Sequence, residues 1–348
     1  MSTQKAVVII SPKVAGLVTD RPIPKLRDDY ILVKTVAVGL NPTDWKHIEY
    51  VASPGVLVGC DYAGTVEATG KDVHESFKKG DRICGFVHGC NDVQPEDGGF
   101  AQYIVAKAGV QMKIPDHLSF QEAATLGVGI TTVGQGLYQS LKLALPTDPT
   151  WDKTPLLIYG GSTATGTLAI QFAKYSGYTV ITTCSPRNVN LVRSVGADHV
   201  FDYNVPESPA QIRKLTNDNL KLVFDCISLE DSTAFCEGAI STGGGDYSTL
   251  LPVKIARKNV RSRSTLGYTA LGEDFSVGPT PYPAKSEDFD HAQLFTVMSE
   301  WFLANRKVKV HPPKVGKDGL KGVLEGLKLM KDGKVSGEKL VYNVDETP

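Results

Sequence analysis

The chain has 348 residues, and its 37 Lys and Arg against 38 Asp and Glu leave a formal net charge of −1 at pH 7. This balance, with the basic residues spread along the chain, excludes the positive field of a nucleic-acid-binding protein. Apolar runs such as residues 6–10 are far shorter than the roughly 20 residues of a membrane-spanning helix. Signal-peptide, peroxisomal and prenylation patterns are absent, so we expect a soluble cytosolic protein with no membrane or nucleic-acid partner.

Residues 5 to about 122 are predicted to form a β-rich unit. Apolar runs at residues 30–38, 62–68 and 81–86 are separated at short intervals by clusters of Gly, Pro, Asn and Asp. This alternation of apolar runs and turn-forming residues is typical of short strands joined by tight turns.

The six cysteines are scattered and form no C-x-x-C pair. They are therefore expected to be reduced structural thiols. The nearest approach to a metal motif is Cys84, His88 and Cys90, but this spacing fits no usual zinc site and no second ligand pair follows. No metal is predicted.

From about residue 123 the pattern becomes alternating strand and helix. Strands are predicted at residues 156–159, 179–183, 199–203, 221–226, 247–251 and 259–266, and helices between them at 167–175, 189–195, 209–216 and 232–239. Successive strands with helical crossovers require a parallel, doubly wound sheet. A helix at 291–304 leads to a tail that is too small for a separate domain. We therefore predict domains at residues 1–123 and 124–306, with residues 307–348 returning to the first.

The turn after the first of these strands predicts a dinucleotide site. Gly160, Gly161 and Gly166 lie between an apolar strand and an amphipathic helix, as in a Rossmann βαβ unit. The motif is imperfect, because Thr163 and Ala164 stand where glycines are common. Ser162, Thr163 and Thr165 offer hydroxyl and N–H groups to a pyrophosphate at the helix N-terminus.

The end of the second strand predicts which dinucleotide is bound. An NAD site has Asp or Glu there for the ribose hydroxyls, whereas this chain has Ser185, Arg187 and Asn188. These side chains can donate to a 2′-phosphate, which favours NADPH. The alternative is that Arg187 is a solvated helix-start residue and Ser185 an ordinary N-cap.

With a β-rich unit followed by a dinucleotide-binding unit, the chain resembles the medium-chain dehydrogenases/reductases. The likeness covers nearly the whole length and rests on ordered motifs at residues 41–46, 59–64, 77–83 and 98–103 together with the glycine turn. It implies an α/β protein in which a GroES-like β-rich catalytic domain carries an inserted Rossmann domain.

The zinc-dependent branch of that family fits poorly. Its members have Gly-His-Glu where this chain has Gly59-Cys60-Asp61, and their four-cysteine lobe is missing. Cys60 and Asp61 could still be ligands, but a catalytic zinc needs a third protein ligand. Without that Lewis acid, reduction of a C=C bond conjugated to a carbonyl becomes the favoured reaction.

Within the zinc-free branch the chain is similar to the fungal trans-acting enoyl reductases that serve iterative polyketide synthases of the lovastatin type. The shared segments are residues 160–165, 183–188, 201–203, 225–227 and 336–341. The resemblance implies NADPH as cofactor, a carrier-bound polyketide intermediate as substrate, a synthase as partner and a role in secondary metabolism.

The same resemblance implies the site residues. The NADPH site would be lined by Thr43, Asp44, Trp45, Lys46, Ser162, Thr163, Ala164, Thr165, Ser185, Pro186, Arg187, Asn188, Tyr203, Leu250, Leu251, Val335 and Ser336. The substrate cleft would be bordered by Gly127, Val128, Gly129, Ile130, Thr131, Thr132, Val133, Gly134, Leu266, Gly267, Tyr268, Thr269 and Ala270.

Lys46 and Thr131 are the candidate catalytic residues. Each could direct a polar group at the nicotinamide ribose or the thioester oxygen. The alternatives are a solvated loop lysine and a buried helix-start threonine. Tyr203, ending the third strand, could stack on adenine or bond the 2′-phosphate, or simply fill a strand edge. No residue stands out as a proton donor, so water is a candidate.

Two further expectations concern assembly and the competing functions. Three prolines and two glycines in residues 272–283 oppose the edge-strand pairing by which relatives dimerise, so a monomer is predicted. A stand-alone quinone, enal or aldehyde reductase would use the same cofactor site, and a catalytically idle NADPH-binding protein is a third interpretation. Nucleophile-elbow context is lacking, so hydrolase chemistry has no support.

Overall fold

The computed structural model describes residues 2–73 and 77–348. Contacts between Cα atoms divide the chain into two compact units, Met1–Thr131 with Tyr268–Pro348, and Thr132–Gly267. These boundaries differ from the predicted ones, since residues 124–131 and 268–306 belong to the first unit. The physical reason for the larger segment is a long helix, Ser286–Ala304, that packs on the β-rich unit around residues 108–113.

The N-terminal part of the first unit is mostly β-structure. Its strands are β1 Thr3–Ser11, β2 Val14–Pro22, β3 Tyr30–Gly39, β4 Asp61–Thr69, β5 Arg82–Phe86, β6 Tyr103–Lys107 and β7 Gln111–Lys113. Its helices are α1 Pro42–Tyr50, α2 Phe120–Ala123 and α3 Gly127–Val133, the last of which crosses into the second unit and continues as a π-helical segment, Gly134–Ser140. The strands follow from β-branched residues that fill both sides of a buried sheet.

Helix α1 was not predicted, because residues 5–122 were interpreted as strands and turns. Its sequence nevertheless carries a helix start signal. Asn41 is the N-cap, Pro42 is the first helical residue, and the Asp44 carboxylate accepts the N–H of Asn41 at 2.7 Å. This arrangement is half of a capping box and is favourable at a helix N-terminus.

The second unit is a six-stranded parallel sheet with helical crossovers. Its elements are β8 Pro155–Tyr159, α4 Ala164–Tyr175, β9 Thr179–Thr183, α5 Val189–Ser194, β10 His199–Phe201, α6 Ser208–Leu215, β11 Leu222–Asp225, α7 Glu230–Ala239, β12 Gly245–Thr249 and β13 Val260–Ser264. The strand order is β10-β9-β8-β11-β12-β13. The predicted doubly wound sheet is confirmed, and the order reverses beside β8, where such sheets bind ligands at the carboxyl ends of their strands.

The chain then returns to the first unit. Its remaining elements are β14 Phe275–Val277, β15 Thr280–Tyr282, α8 Ser286–Ala304, β16 Pro313–Val315, α9 Gly319–Lys331 and β17 Lys339–Asn343. Strand β17 pairs with β3, which places the tail in the sheet β16-β17-β3-β4-β5-β7, with β6 also paired to β3. Strands β14 and β15 form a hairpin of their own across Gly278, so the prolines predicted to oppose pairing still permit a two-stranded ribbon.

All six cysteines are buried and free. Leu156, Leu157 and Ile158 are fully buried, as expected of a central parallel strand covered on both faces. In residues 2–73 and 77–348, no helix has both the length and the apolar character needed to cross a bilayer.

Candidate active site

The glycine turn between β8 and α4 packs closely against its neighbours. Gly160 has φ of 80°, a conformation that favours glycine. A Cβ on Gly161 would lie 2.0 Å from the Thr182 hydroxyl oxygen, and a Cβ on Gly166 would lie 2.3 Å from the Gly160 carbonyl oxygen. Glycine is therefore required at 161 and 166 for the turn to pack against strand β9 and helix α4.

The N-terminus of α4 carries backbone donors that are not used within the chain. In the described residues, the N–H groups of Ser162, Ala164 and Thr165 donate to no backbone or side-chain acceptor. The Thr163 hydroxyl, in contrast, accepts the Gly166 N–H at 2.9 Å and donates to the Gly160 carbonyl at 2.8 Å. Thr163 is thus the N-cap of α4 and its hydroxyl is already occupied, so only backbone groups and the Ser162 and Thr165 hydroxyls can meet a pyrophosphate.

The segment after β9 gathers neutral and positive donors. The Asn188 side-chain amide donates to the Ser162 hydroxyl at 3.2 Å and to the Ser185 hydroxyl at 3.3 Å. Ser185 occupies the N-cap position of the turn Pro186–Asn188, although its side chain makes no capping hydrogen bond. Arg187 is exposed, and within the described chain its guanidinium has no hydrogen bond or ion pair.

The segment itself is free of acidic residues, since residues 184–197 contain neither Asp nor Glu. A guanidinium can donate to a phosphate group. Together with the glycine turn, the segment offers donors at the place where such sheets bind a dinucleotide.

The other predicted cofactor residues of the second unit lie at neighbouring strand ends. Tyr203 follows β10, which ends at Phe201 rather than at 203 as predicted, and is 43% exposed with its ring 6.3 Å from that of Tyr159. Leu250 and Leu251 follow β12, and the Leu250 N–H donates to the Ser228 hydroxyl at 2.8 Å. All three are at the carboxyl edge of the sheet, where ligands of such sheets bind.

In the first unit, α1 carries the predicted residues Thr43, Asp44, Trp45 and Lys46. Lys46 is half-buried on this helix, so the alternative of a loop lysine does not hold. Burial lowers the pKa of its ammonium group. Its Nζ lies 5.7 Å from the Trp45 ring centroid, and no described carboxylate pairs with it. A lysine with a lowered pKa and no fixed partner is suited to stabilise a developing negative charge.

Tyr268 organises a buried cluster beside α1. Its hydroxyl lies 2.9 Å from the Thr43 hydroxyl and 3.8 Å from the Cys60 sulfur. Its ring stacks on His88 at 3.9 Å, and His47 meets it edge-on at 5.4 Å. Because Tyr268 is buried, it contacts Thr43 through its hydroxyl group and offers little surface to a substrate.

The titratable groups of this cluster are held neutral. Burial, and to a lesser extent the neighbouring His47, lowers the pKa of His88 to about 3. Burial raises the pKa of the Cys60 thiol well above its usual range. The sequence indicates no role for His47, and it indicates His88 only as part of a metal motif that does not fit; their proximity to Tyr268 is seen only in the structure. In residues 2–73 and 77–348, no three His, Cys, Asp or Glu side chains come together in a metal-binding group.

Helix α3 carries the other candidate catalytic residue. Thr131 is its fifth residue and is partly exposed, so the alternative of a buried helix-start threonine does not hold. Its hydroxyl makes no hydrogen bond to any described residue. Of the predicted substrate residues, those with partial exposure are Val128, Thr131, Thr132, Leu266 and Gly267, whereas Gly127, Gly129, Ile130, Val133, Gly134, Tyr268, Thr269 and Ala270 are buried.

The structure divides the predicted site between the two units. The first unit contains residues 43–46, 127–131, 268–270, Val335 and Ser336, and the second contains residues 132–134, 162–165, 185–188, Tyr203, 250–251, 266 and 267. Both candidate catalytic residues, Lys46 and Thr131, belong to the first unit.

Comparison with protein families agrees with this architecture. The family of alcohol dehydrogenase GroES-like domains matches residues 27–116, and the family of zinc-binding dehydrogenases matches residues 164–249. The chain is 62% identical over 286 residues to the trans-enoyl reductase TOXD of Cochliobolus carbonum, covering 81% of this chain and 96% of that protein. It is 46% identical to the trans-enoyl reductase resD of Aspergillus sclerotiorum, covering 98% of this chain and 100% of that protein.

Solved structures share the fold at low sequence identity. A putative zinc-dependent alcohol dehydrogenase from Rhizobium etli CFN 42 superimposes with a TM-score of 0.79 at 22% identity, covering 99% of this chain and 98% of that one. The CurK enoyl reductase superimposes with a TM-score of 0.76 at 18% identity, covering 98% and 99%. These similarities establish the GroES-like and Rossmann architecture.

Proposed function

Because the chain belongs to the medium-chain dehydrogenases/reductases and, within them, to the fungal trans-enoyl reductases, we propose that it reduces the α,β-unsaturated thioester of carrier-bound polyketide intermediates, using NADPH. The family implies a nicotinamide cofactor, and we infer the preference for NADPH from the residues after β9. The observation that carries the reaction type is Lys46, on the helix that also carries Thr43. Its half-buried ammonium group has no hydrogen bond or ion pair to any residue that the structure describes.

The residues of the second unit support a phosphorylated cofactor. The free N–H groups at 162, 164 and 165 would bind the pyrophosphate. Arg187 would donate to the 2′-phosphate, Asn188 would hold the Ser162 and Ser185 hydroxyls in place, and residues 184–197 contain no acid that would repel the phosphate. When bound, the nicotinamide supplies a hydride.

The reaction requires the protein to stabilise negative charge on the thioester oxygen. Addition of a hydride to the β-carbon breaks the C=C π-bond and moves an electron pair towards the carbonyl, giving an enolate. The Lys46 ammonium and the Thr131 hydroxyl are the groups that we assign to this oxygen, where a positioned donor stabilises the transition state. Water supplies the proton to the α-carbon, and the thioester is retained.

The experiment measures NADPH oxidation with three kinds of acceptor. Acyl-pantetheine enoyl thioesters, simple quinones and simple enals are compared at equal concentrations, with NADH as the control reductant. Turnover with the enoyl thioester and NADPH supports the proposal. Turnover confined to quinones or enals would replace it with a stand-alone reductase, and NADPH binding without turnover would identify a catalytically idle protein.

The proposed partner is a polyketide synthase that presents its carrier domain, and the proposed state of the chain is a monomer. Support for the monomer comes from the segment that follows β13, where Gly278, Pro279 and Pro281 build a separate hairpin. Proline lacks the N–H needed to extend a sheet edge. Size-exclusion chromatography with light scattering tests this, and a stable dimer would contradict it.

A further inference from the structure

A buried ion pair in the first unit joins four separate segments of the chain. Lys339, the first residue of β17, forms an ion pair with Asp61, the first residue of β4. Asp61 is 0% and Lys339 is 4% exposed. The Lys339 ammonium also donates to the Asn41 side-chain carbonyl at 2.9 Å and reaches the Thr125 carbonyl at 3.4 Å.

Each oxygen of Asp61 contacts the start of a different helix. Oδ2 accepts the Asn41 side-chain amide at 2.9 Å, and Asn41 is the N-cap of α1. Oδ1 accepts the backbone N–H of Val128, in the first turn of α3, at 2.6 Å. Lys46 follows Asn41 by five residues on α1, and Thr131 follows Val128 by three on α3. One carboxylate therefore holds the starts of both helices that carry the candidate catalytic residues.

The packing leaves this arrangement little freedom. A Cβ on Gly127 would lie 2.2 Å from the Gly85 carbonyl oxygen and 2.6 Å from Asp61 Oδ1. A Cβ on Gly39 would lie 2.2 Å from the Ala124 carbonyl oxygen and 3.1 Å from Lys339 Cε. Both glycines thus let the ion pair reach the start of α3, since any side chain would displace it.

We propose that Asp61 and Lys339 form a positioning pair that sets the geometry of Lys46 and Thr131 relative to each other during reduction of the enoyl thioester. The proposal rests on the proposed function for the roles of Lys46 and Thr131. Lys339 neutralises the buried carboxylate and orients it, because a buried charge needs both a partner and hydrogen bonds. Asp61 then accepts a hydrogen bond from the start of each helix, one on each carboxylate oxygen. A neutral amide has one acceptor oxygen and an apolar side chain has none, so neither can accept both bonds in this way.

The test compares Asp61→Asn, Lys339→Met and the double variant Asp61→Asn with Lys339→Met. Each single variant leaves one buried group without its partner, and we expect a lower thermal midpoint. The double variant removes both charges, and we expect it to regain most of the lost stability. Its kcat should nevertheless stay about 10- to 100-fold below wild type, because displacement of catalytic groups by about 1 Å carries such a cost.

The matched control is the ion pair Arg27–Asp97, which spans 2.5 Å in the same unit and, among the described residues, has no hydrogen bond to α1 or α3. The double variant Arg27→Met with Asp97→Asn should keep kcat within about twofold of wild type. Recovery of both stability and kcat by the Asp61 and Lys339 double variant would overturn the proposal, because the pair would then be structural only. If that variant does not fold, Asn41→Ala tests the proposal instead. A kcat loss of about tenfold or more would support the positioning pair, and an unchanged kcat would contradict it.

The proposed function and the proposed role of the positioning pair are tested by different measurements. The wild-type enzyme with each acceptor tests the function, whereas the ratio of variant to wild-type kcat on whichever acceptor is reduced tests the pair. An enzyme that reduces only quinones but shows the predicted ratio would contradict the function and retain the pair.

Discussion

The Tyr268 hydroxyl lies 2.9 Å from the Thr43 hydroxyl although the two residues are 225 positions apart. Thr43 is in the first turn of α1, among the residues predicted to line the NADPH site. The phenol thereby restrains the Thr43 hydroxyl. We expect Tyr268 to support the predicted cofactor site through this contact, which leads to the first prediction.

Replacing Tyr268 by Phe removes only that hydroxyl. We expect about 1 kcal/mol of lost stability, the usual net value of a buried hydrogen bond, and a severalfold weaker NADPH affinity because Thr43 becomes less restrained. Urea unfolding and fluorescence titration with NADPH measure the two effects. Tyr138→Phe is the matched control, since that buried phenol lies 2.9 Å from the Ser176 hydroxyl. It should show the stability loss alone, and an equal affinity loss in both variants would contradict the assignment.

The cofactor preference gives a second prediction. Arg187→Ala should weaken NADPH binding about 10- to 100-fold, the value of a hydrogen bond to a charged group, and leave NADH binding unchanged. Isothermal titration with both nucleotides measures the difference. Arg193→Ala, at an exposed basic residue on α5, is the control and should change neither affinity. Equal losses for NADPH and NADH on Arg187→Ala would place this guanidinium away from the 2′-phosphate.

Local patterns were sufficient to predict the second unit. The strand, glycine turn and helix around Gly160, and the strand ending at Thr183, follow from short-range periodicity and turn chemistry. The start of α1 was also encoded locally by Asn41, Pro42 and Asp44, but the surrounding strands concealed it. A short helix in a β-rich unit is stabilised by tertiary packing, and its amphipathic signal is correspondingly weak.

Other features of the site had no local signal. Asp61 and Lys339 are 278 positions apart, and neither residue type nor spacing indicates that they pair. The same holds for Tyr268, whose neighbours His47 and His88 come from separate segments. Contacts of this kind depend on how the sheet brings β4, β17 and the segment after β13 together, which is information that only the fold contains.

Lys46 provides a third prediction, on the pH dependence of turnover. Burial lowers the pKa of its ammonium below the usual 10.5, and the charged form is the one proposed to stabilise the enolate oxygen. Activity should therefore be constant at low pH and decline as the pH rises through this lowered pKa. Lys46→Arg should move the decline to higher pH, because a guanidinium stays charged. Lys46→Met should reduce kcat about 10- to 100-fold and abolish the decline.

Profiles of kcat against pH for the three proteins check this, with saturating NADPH throughout. Lys34→Met, at an exposed lysine of β3, is the control and should retain the wild-type profile. An alkaline limb that stays in place in Lys46→Arg would show that another group titrates.

Asp44 provides the last prediction, on stability. Burial, partly offset by the hydrogen bond from the Asn41 N–H, raises the pKa of Asp44 from 3.8 to about 7. Its Oδ1 is buried and finds no donor among the described residues. The folded state therefore prefers the protonated carboxyl, while the unfolded chain ionises near pH 4. Folding becomes less favourable as pH rises from about 4 to about 7, and the penalty is constant above that range.

Asp44→Asn keeps an oxygen for the Asn41 N–H and removes the charge. The variant should gain on the order of 2 to 4 kcal/mol in the free energy of unfolding at pH 8, and the gain should shrink towards zero as the pH is lowered to 4. Urea unfolding at several pH values measures it. Glu122→Gln is the control, because this carboxylate caps α2 at a partly exposed position and accepts the Ser119 N–H at 2.9 Å. It should give no such gain, and a loss of stability in Asp44→Asn at pH 8 would mean that the buried carboxylate is stabilised by its surroundings as an anion.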